Sequence, residues 1–269
     1  MRQYSLSFLN SHNKANNLEF ELRPYQDTYY IEEGEGQTIL LLHGLFGALS
    51  NFKEVTQYFS KKYRVIIPYL PLYSNPLTET SVSGLVDFIV KFIQEKKLEN
   101  LVIVGNSLGG HVGILYALKC MSNVKALILT ASSGLFENSL GNSYPKKDYI
   151  YIKRKTEETF YDPEVATKEL IDEVYKIVND REKAIRVLFL ARSAIRYNLR
   201  SELPKLTIPI QLIWGKHDKI TPVFVGEEFH KLLPNSELEI IEKAGHAPMM
   251  EKPDEFIRYM ETFLEKVLK

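Results

Sequence analysis

Ser107, in the run Gly105-Asn106-Ser107-Leu108-Gly109-Gly110, is the side chain in this sequence best placed to act as a nucleophile. A serine hydroxyl reacts with a carbonyl carbon only when a base takes its proton and donors receive the charge that develops on the carbonyl oxygen. It must also stand clear of the backbone. Leu101-Val102-Ile103-Val104 reads as a buried strand, and a helix-like stretch over 111–121 follows the serine. A serine at so sharp a strand-to-helix turn is held in a strained conformation that only small neighbours tolerate, which accounts for Gly105 and Gly109. The turn lifts the hydroxyl above the sheet edge, in front of a helix N-terminus that favours negative charge. An ordinary helix-capping serine would carry the same short motif, so its partners decide the matter.

Histidine can accept and return a proton near neutral pH, and the chain has six. His12 lies in a polar N-terminal stretch, and His230 sits on the polar side of an amphipathic helix. His111 opens the helix behind the serine, His217 precedes an aspartate, and His43 ends an early strand, where it is expected to shape a loop. His246, in Ala244-Gly245-His246-Ala247-Pro248, combines a strand end, small neighbours and a place after both serine and acid, so it is the expected base. Asp218 follows the strand that ends at Trp214 and is the expected orienting acid, although Thr221-Pro222 just beyond it also reads as a helix start. The preceding strand end, Thr130-Ala131-Ser132-Ser133-Gly134, offers no carboxylate. Backbone N–H groups of Leu108 and of Leu45, in His43-Gly44-Leu45-Phe46-Gly47, are the expected oxyanion donors. Phe46 and Asn106 are expected to touch substrate.

These positions must be gathered by the elements between them. Thr38–Leu42, 64–69, 101–104, Val124–Thr130, 208–214 and 238–241 read as strands, and 51–62, 82–97, 222–233 and 253–268 as helices. Such alternation predicts an α/β fold with a parallel sheet covered on both faces, whose ligands bind beyond the carboxyl ends of the strands. The alternation breaks between Ser133 and Leu203, where no strand is convincing and 164–178 and 184–195 carry apolar stripes at helical spacing. A core of 1–133 with 204–269 and an inserted helical cap over 134–203 are therefore expected. The aromatics of the cap, among them Phe136, Tyr144, Tyr149 and Tyr161, would either line an apolar cavity or pack the cap on the core.

Lys+Arg and Asp+Glu both total 34, so the chain has no global field to recruit nucleic acid or anionic lipid. No run approaches the ~20 apolar residues of a membrane span, and the polar N-terminus does not read as a signal peptide. The single Cys120 excludes an intramolecular disulfide and fits a reducing compartment. A cytoplasmic protein is expected, with a small-molecule substrate and water as its partners. No metal or organic cofactor is expected, and the oligomeric state, monomer or homodimer, is unreadable.

With these motifs in place the chain resembles the α/β-hydrolase family from about residue 37 onward, through 43–47, 105–110, 214–218 and 245–248. The resemblance implies an eight-stranded, mostly parallel sheet with helices on both faces and a helical cap after the sixth strand. It also implies acyl transfer to water. Branches of the family that use aspartate as nucleophile, the haloalkane dehalogenases and epoxide hydrolases, are disfavoured by Ser107. Asn106 and the run 162–170 resemble the meta-cleavage-product C–C hydrolases. That subgroup carries tryptophan where this chain has Ala247, and a substrate-binding arginine at the position aligned with Val174. Without that arginine an anionic dienoate loses its charge-assisted partner. Hydrolysis of small to medium, fairly apolar carboxylic esters is therefore expected ahead of C–C cleavage, or of a ligand-sensing role that keeps the triad.

Overall fold

The strand-like runs pair into one eight-stranded sheet in a computed structural model that describes residues 20–47, 49–136 and 147–269. The strands are β1 (Arg23–Tyr25), β2 (Thr28–Glu33), β3 (Thr38–Leu42), β4 (Arg64–Pro68), β5 (Leu101–Asn106), β6 (Val124–Thr130), β7 (Ile210–Gly215) and β8 (Ser236–Ile241). Their order across the sheet is β1-β2-β4-β3-β5-β6-β7-β8. β2 runs antiparallel to β1 and to β4, and every other pair is parallel. The carboxyl ends of β3, β5, β6, β7 and β8 thus lie along one edge.

The central strands are apolar throughout because they bury both faces. In β3 and β5, Leu40, Leu42, Leu101 and Ile103 enter one core, while Ile39, Leu41, Val102 and Val104 enter the other. This is the two-residue period of a pleated strand. Helices α1 (Lys53–Phe59), α2 (Val82–Glu95) and α3 (Leu108–Lys119) precede β6. Between β6 and β7 come α4 (Tyr149–Glu157), α5 (Lys168–Asn179) and α6 (Arg181–Arg196). After β7 follow α7 (Val223–Leu232), α8 (Pro248–Glu251) and α9 (Pro253–Val267). α2, α3 and α7 cover the first core through residues such as Ile89, Val112 and Phe229. α1 and α9 cover the second through Val55, Phe59, Phe256 and Met260.

Three helix starts depart from the sequence reading. α3 begins at Leu108 rather than 111, because Gly109 and Gly110, which read as turn residues, let the helix lie against neighbouring backbone. A Cβ on Gly109 would stand 2.1 Å from the Leu42 carbonyl oxygen. α5 begins at Lys168, after a 3₁₀ turn over Pro163–Val165, with the Thr167 hydroxyl accepting from Leu170 N–H. α6 begins at Arg181, since the Asp180 carboxylate caps the amides of Glu182 and Lys183 at 3.0 and 3.1 Å. α4 escapes apolar periodicity altogether: of its nine residues only Ile152 and Thr156 are buried. The helices between β6 and β7 lie within the expected cap, and Tyr144 and His12 fall outside the described residues. Among the described residues no helix is long and apolar enough to cross a membrane.

The antiparallel edge is joined to the core by aromatic side chains. Phe92 of α2 meets the rings of Tyr25 and Tyr30 edge-on, with centroids 4.8 and 5.4 Å apart. Phe92→Ala removes the ring that both tyrosines contact, and we expect a loss of about 3–5 kcal/mol of stability. A lower denaturant midpoint at unchanged slope is the outcome that checks this.

Candidate active site

β5 ends at Asn106 and α3 begins at Leu108, so a single residue turns the chain. That residue, Ser107, has φ 54° and ψ −118°, a positive φ that side chains with a Cβ rarely adopt. Three backbone bonds hold it there. Ser107 N–H donates to the Thr130 carbonyl at 3.1 Å, and the Ser107 carbonyl accepts from Ser133 at 3.1 Å and His111 at 3.2 Å. The glycines around it are sterically required: a Cβ on Gly105 would lie 2.5 Å from Gly110 Cα. In the run 101–110 every residue but Ser107 is buried.

The loop after β3 passes directly over this turn. A Cβ on Gly44 would come within 3.2 Å of Ser107 Cβ, a tight contact that shows how closely the loop approaches the serine. Gly47 N–H closes the loop on the Gly44 carbonyl at 3.0 Å, and the Tyr73 hydroxyl donates to the Leu45 carbonyl at 3.0 Å. Leu45 and Phe46 are half-buried in this loop. Leu108 sits at the first position of α3, where a backbone N–H has no partner within the helix. His43 is fully buried, with Nδ1 3.0 Å from the Gly44 carbonyl, to which it donates, and Nε2 accepting from Leu70 N–H at 3.0 Å. Burial pulls its pKa from about 6.5 down to about 4, so it is a neutral strut of the loop.

Asp218 and His246 are brought together by the turns after β7 and β8. These turns nearly touch: a Cβ on Gly215 would stand 2.0 Å from the Gly245 carbonyl oxygen. His246 Nδ1 lies 2.9 Å from Asp218 Oδ2, and both residues are buried. The other carboxylate oxygen accepts from the amides of Ile220 at 2.8 Å and Thr221 at 3.0 Å. A carboxylate only accepts, so the proton of the imidazole is assigned to Nδ1, and Nε2 is the unprotonated nitrogen. That is the tautomer of a general base.

Asn106 links the two halves of the site. Its buried Nδ2 donates to the His246 carbonyl at 3.1 Å and to the Thr130 carbonyl at 3.3 Å. The expectation that Asn106 touches substrate therefore meets an amide nitrogen already committed to backbone oxygens. Thr221, which the sequence reading took as part of a helix start, is the residue it missed. Its hydroxyl lies 2.8 Å from Asp218 Oδ2, 3.1 Å from the Ala131 carbonyl and 3.4 Å from His246 Nδ1. The available signal was a threonine three residues after the acid, in position to cap it. Among the described residues no group of three or more His, Cys, Asp or Glu side chains could hold a metal ion.

A parallel sheet of this order, with a strained serine after the fifth strand and an Asp–His pair after the seventh and eighth, defines a hydrolase architecture. The model of the alpha/beta hydrolase family matches residues 39–259, and the chain belongs to that family. Its fold is similar to the crystal structure of MGS-MChE2, an alpha/beta hydrolase enzyme from the metagenome of lagoon sediments at Mar Chica, Morocco. The TM-score is 0.76 at 40% identity, over 91% of this chain and 98% of that one. The chain is 25% identical over 262 residues to monoacylglycerol lipase ABHD6 of Bos taurus, covering 87% of this chain and 77% of the relative. It is 27% identical over 263 residues to 2-hydroxy-6-oxo-6-(2'-aminophenyl)hexa-2,4-dienoic acid hydrolase of Metapseudomonas resinovorans, covering 89% and 88%.

His111, behind the serine turn, is a second buried histidine whose pKa burial lowers to about 4. Its Nδ1 lies 3.3 Å from the Ser133 hydroxyl, and Nε2 has no partner among the described residues. In the unfolded chain both His43 and His111 take a proton near pH 6.5, whereas in the fold they resist it until about pH 4. Stability is thus complete above pH 6.5 and falls as the pH drops toward 4, by up to roughly 3 kcal/mol per histidine. His111→Leu should flatten this fall by about one proton, read from denaturation midpoints at a series of pH values between 7 and 4.

Proposed function

We propose that this chain is a serine hydrolase of small to medium, fairly apolar carboxylic esters. Ser107 is the nucleophile, His246 the general base, Asp218 the acid that orients it, and the amides of Leu45 and Leu108 the oxyanion donors. The observation that carries the reading is the 2.9 Å bond from His246 Nδ1 to Asp218 Oδ2, which assigns the ring proton to Nδ1 and makes Nε2 the accepting nitrogen of the imidazole. Ser107 Oγ attacks the ester carbonyl carbon while His246 Nε2 takes the hydroxyl proton. The negative charge on the former carbonyl oxygen falls to the two amides. His246 then returns the proton to the alcohol oxygen as the carbon–oxygen bond breaks, leaving an acyl group on Ser107. Water, deprotonated by the same nitrogen, releases the acid. Phe46 would form an apolar wall for substrate, and the helices between β6 and β7 a cap over the site.

Ester hydrolysis ranks above C–C cleavage on the resemblance: Val174 occupies the position aligned with the arginine that the C–C hydrolases use for the substrate carboxylate. The half-buried, unpaired Cys120 fits the cytoplasmic setting expected for the chain. Fluorophosphonate labelling of wild type and Ser107→Ala, beside turnover of p-nitrophenyl esters from acetate to decanoate, tests the reading. Wild type should label and turn over, and Ser107→Ala should do neither while keeping its unfolding temperature. Labelling without turnover of any ester would move the assignment to C–C cleavage or ligand sensing. Asp218→Asn presents an amide donor to His246 Nδ1 and enforces the wrong tautomer. We expect kcat to fall by about 10³–10⁴-fold, measured on the preferred ester.

A further inference from the structure

Glu251 ends the short helix α8, five residues after His246, and its carboxylate turns back toward the turn it has left. Oε1 accepts from Gly245 N–H at 2.6 Å, the amide immediately before His246. Oε2 accepts from Tyr161 N–H at 2.7 Å and Asp162 N–H at 3.3 Å, on the chain that leaves α4 for α5. One carboxylate therefore joins two backbone segments distant in sequence, at 161–162 and at 245, each through a different oxygen. The same segments meet a second time, where His246 N–H donates to the Thr159 carbonyl at 2.9 Å. They are close enough that residue 245 has no room for a side chain: a Cβ there would lie 2.6 Å from Thr159 O and 2.9 Å from Tyr161 N. The Tyr161 ring packs on His217, with centroids 4.6 Å apart, so the contact extends to the neighbour of Asp218.

Burial pushes the Glu251 pKa up, and the three backbone donors oppose that rise. A partly buried carboxylate with both oxygens occupied by main-chain donors cannot be lost cheaply, because three amides are orphaned with it. We propose that Glu251 is a positioning residue that holds the His246 turn against residues 159–162, so that the placement of the base depends on that segment being docked. The consequence for catalysis rests on the reading of His246 as the base. The link between the two segments does not.

The test is Glu251→Gln in the full chain, followed by kcat and KM on p-nitrophenyl butyrate and by amide hydrogen exchange of peptides covering 159–162, 243–247 and 101–112. Glutamine keeps the size of the side chain but offers a single accepting oxygen, so it cannot bridge the two segments, and each loses the other as its support. Exchange should rise in 159–162 and 243–247 together and stay unchanged in 101–112, with kcat down at least tenfold and KM within twofold. Gly245→Ala, which forces the segments apart without touching the carboxylate, should reproduce the pattern. A rise in one segment only, or in neither, overturns the proposal. So does a uniform rise over all three peptides, which would make Glu251 a general stability residue, or an unchanged kcat with both segments loosened. Should wild type turn over no ester, the hydrolase reading fails on its own, and the exchange pattern still decides whether Glu251 joins the segments.

Discussion

The left-handed backbone at Ser107 is the constraint that organises the rest of the molecule. A residue with a Cβ at φ 54° persists only where its surroundings over-determine it. Here the surroundings are the three central parallel strands. β6 supplies the acceptor for Ser107 N–H, and the chain just after β6 supplies the Ser133 donor to its carbonyl. β3 lets α3 lie on its carbonyl groups at Leu42 and His43, which is why Gly109 can carry no side chain. These strands are buried on both faces, so the turn is fixed by the stiffest part of the fold.

Around this turn, most of the polar side chains are committed to backbone partners. His43 is neutralised by burial and closed off at both nitrogens. Asn106 is committed to two carbonyls, and Asp218 to two amides and a hydroxyl besides the imidazole. The saturation of Asp218 matters physically, because a buried carboxylate survives only when its charge is met by donors. Each bond it accepts also fixes its plane, and the plane fixes the imidazole.

The sequence was most legible where one rule acts alone. The apolar runs of β3 and β6 were readable to the residue because strands buried on both faces carry no competing signal. Asp218 and His246 were readable because strand ends flanked by small residues are few in this chain, and the structure puts the two in contact. Legibility failed where two rules compete. Gly109 and Gly110 lower helix propensity yet begin α3, since close backbone approach outweighs the roughly 1 kcal/mol each costs. α4 presents Tyr149, Ile150, Tyr151 and Ile152 in succession, a pattern with strand-like residues and no helical stripe, and its helix is set by the Asp148 cap. Thr221 was hidden by its neighbour: Pro222 announces a helix, and the threonine before it reads as a cap although it serves the acid.

His246 itself is held by two different parts of the fold. Its carbonyl is held by Asn106, which belongs to β5 and the central core. Its N–H is held by Thr159, which belongs to the helical segment inserted between β6 and β7. The two backbone groups of one residue are thus divided between the central sheet and the helical segment inserted between its strands. A histidine anchored to the core alone would be indifferent to what lies above the sheet. One anchored on both sides reports the docking of the inserted helices at the nitrogen that, on the proposed mechanism, takes the proton.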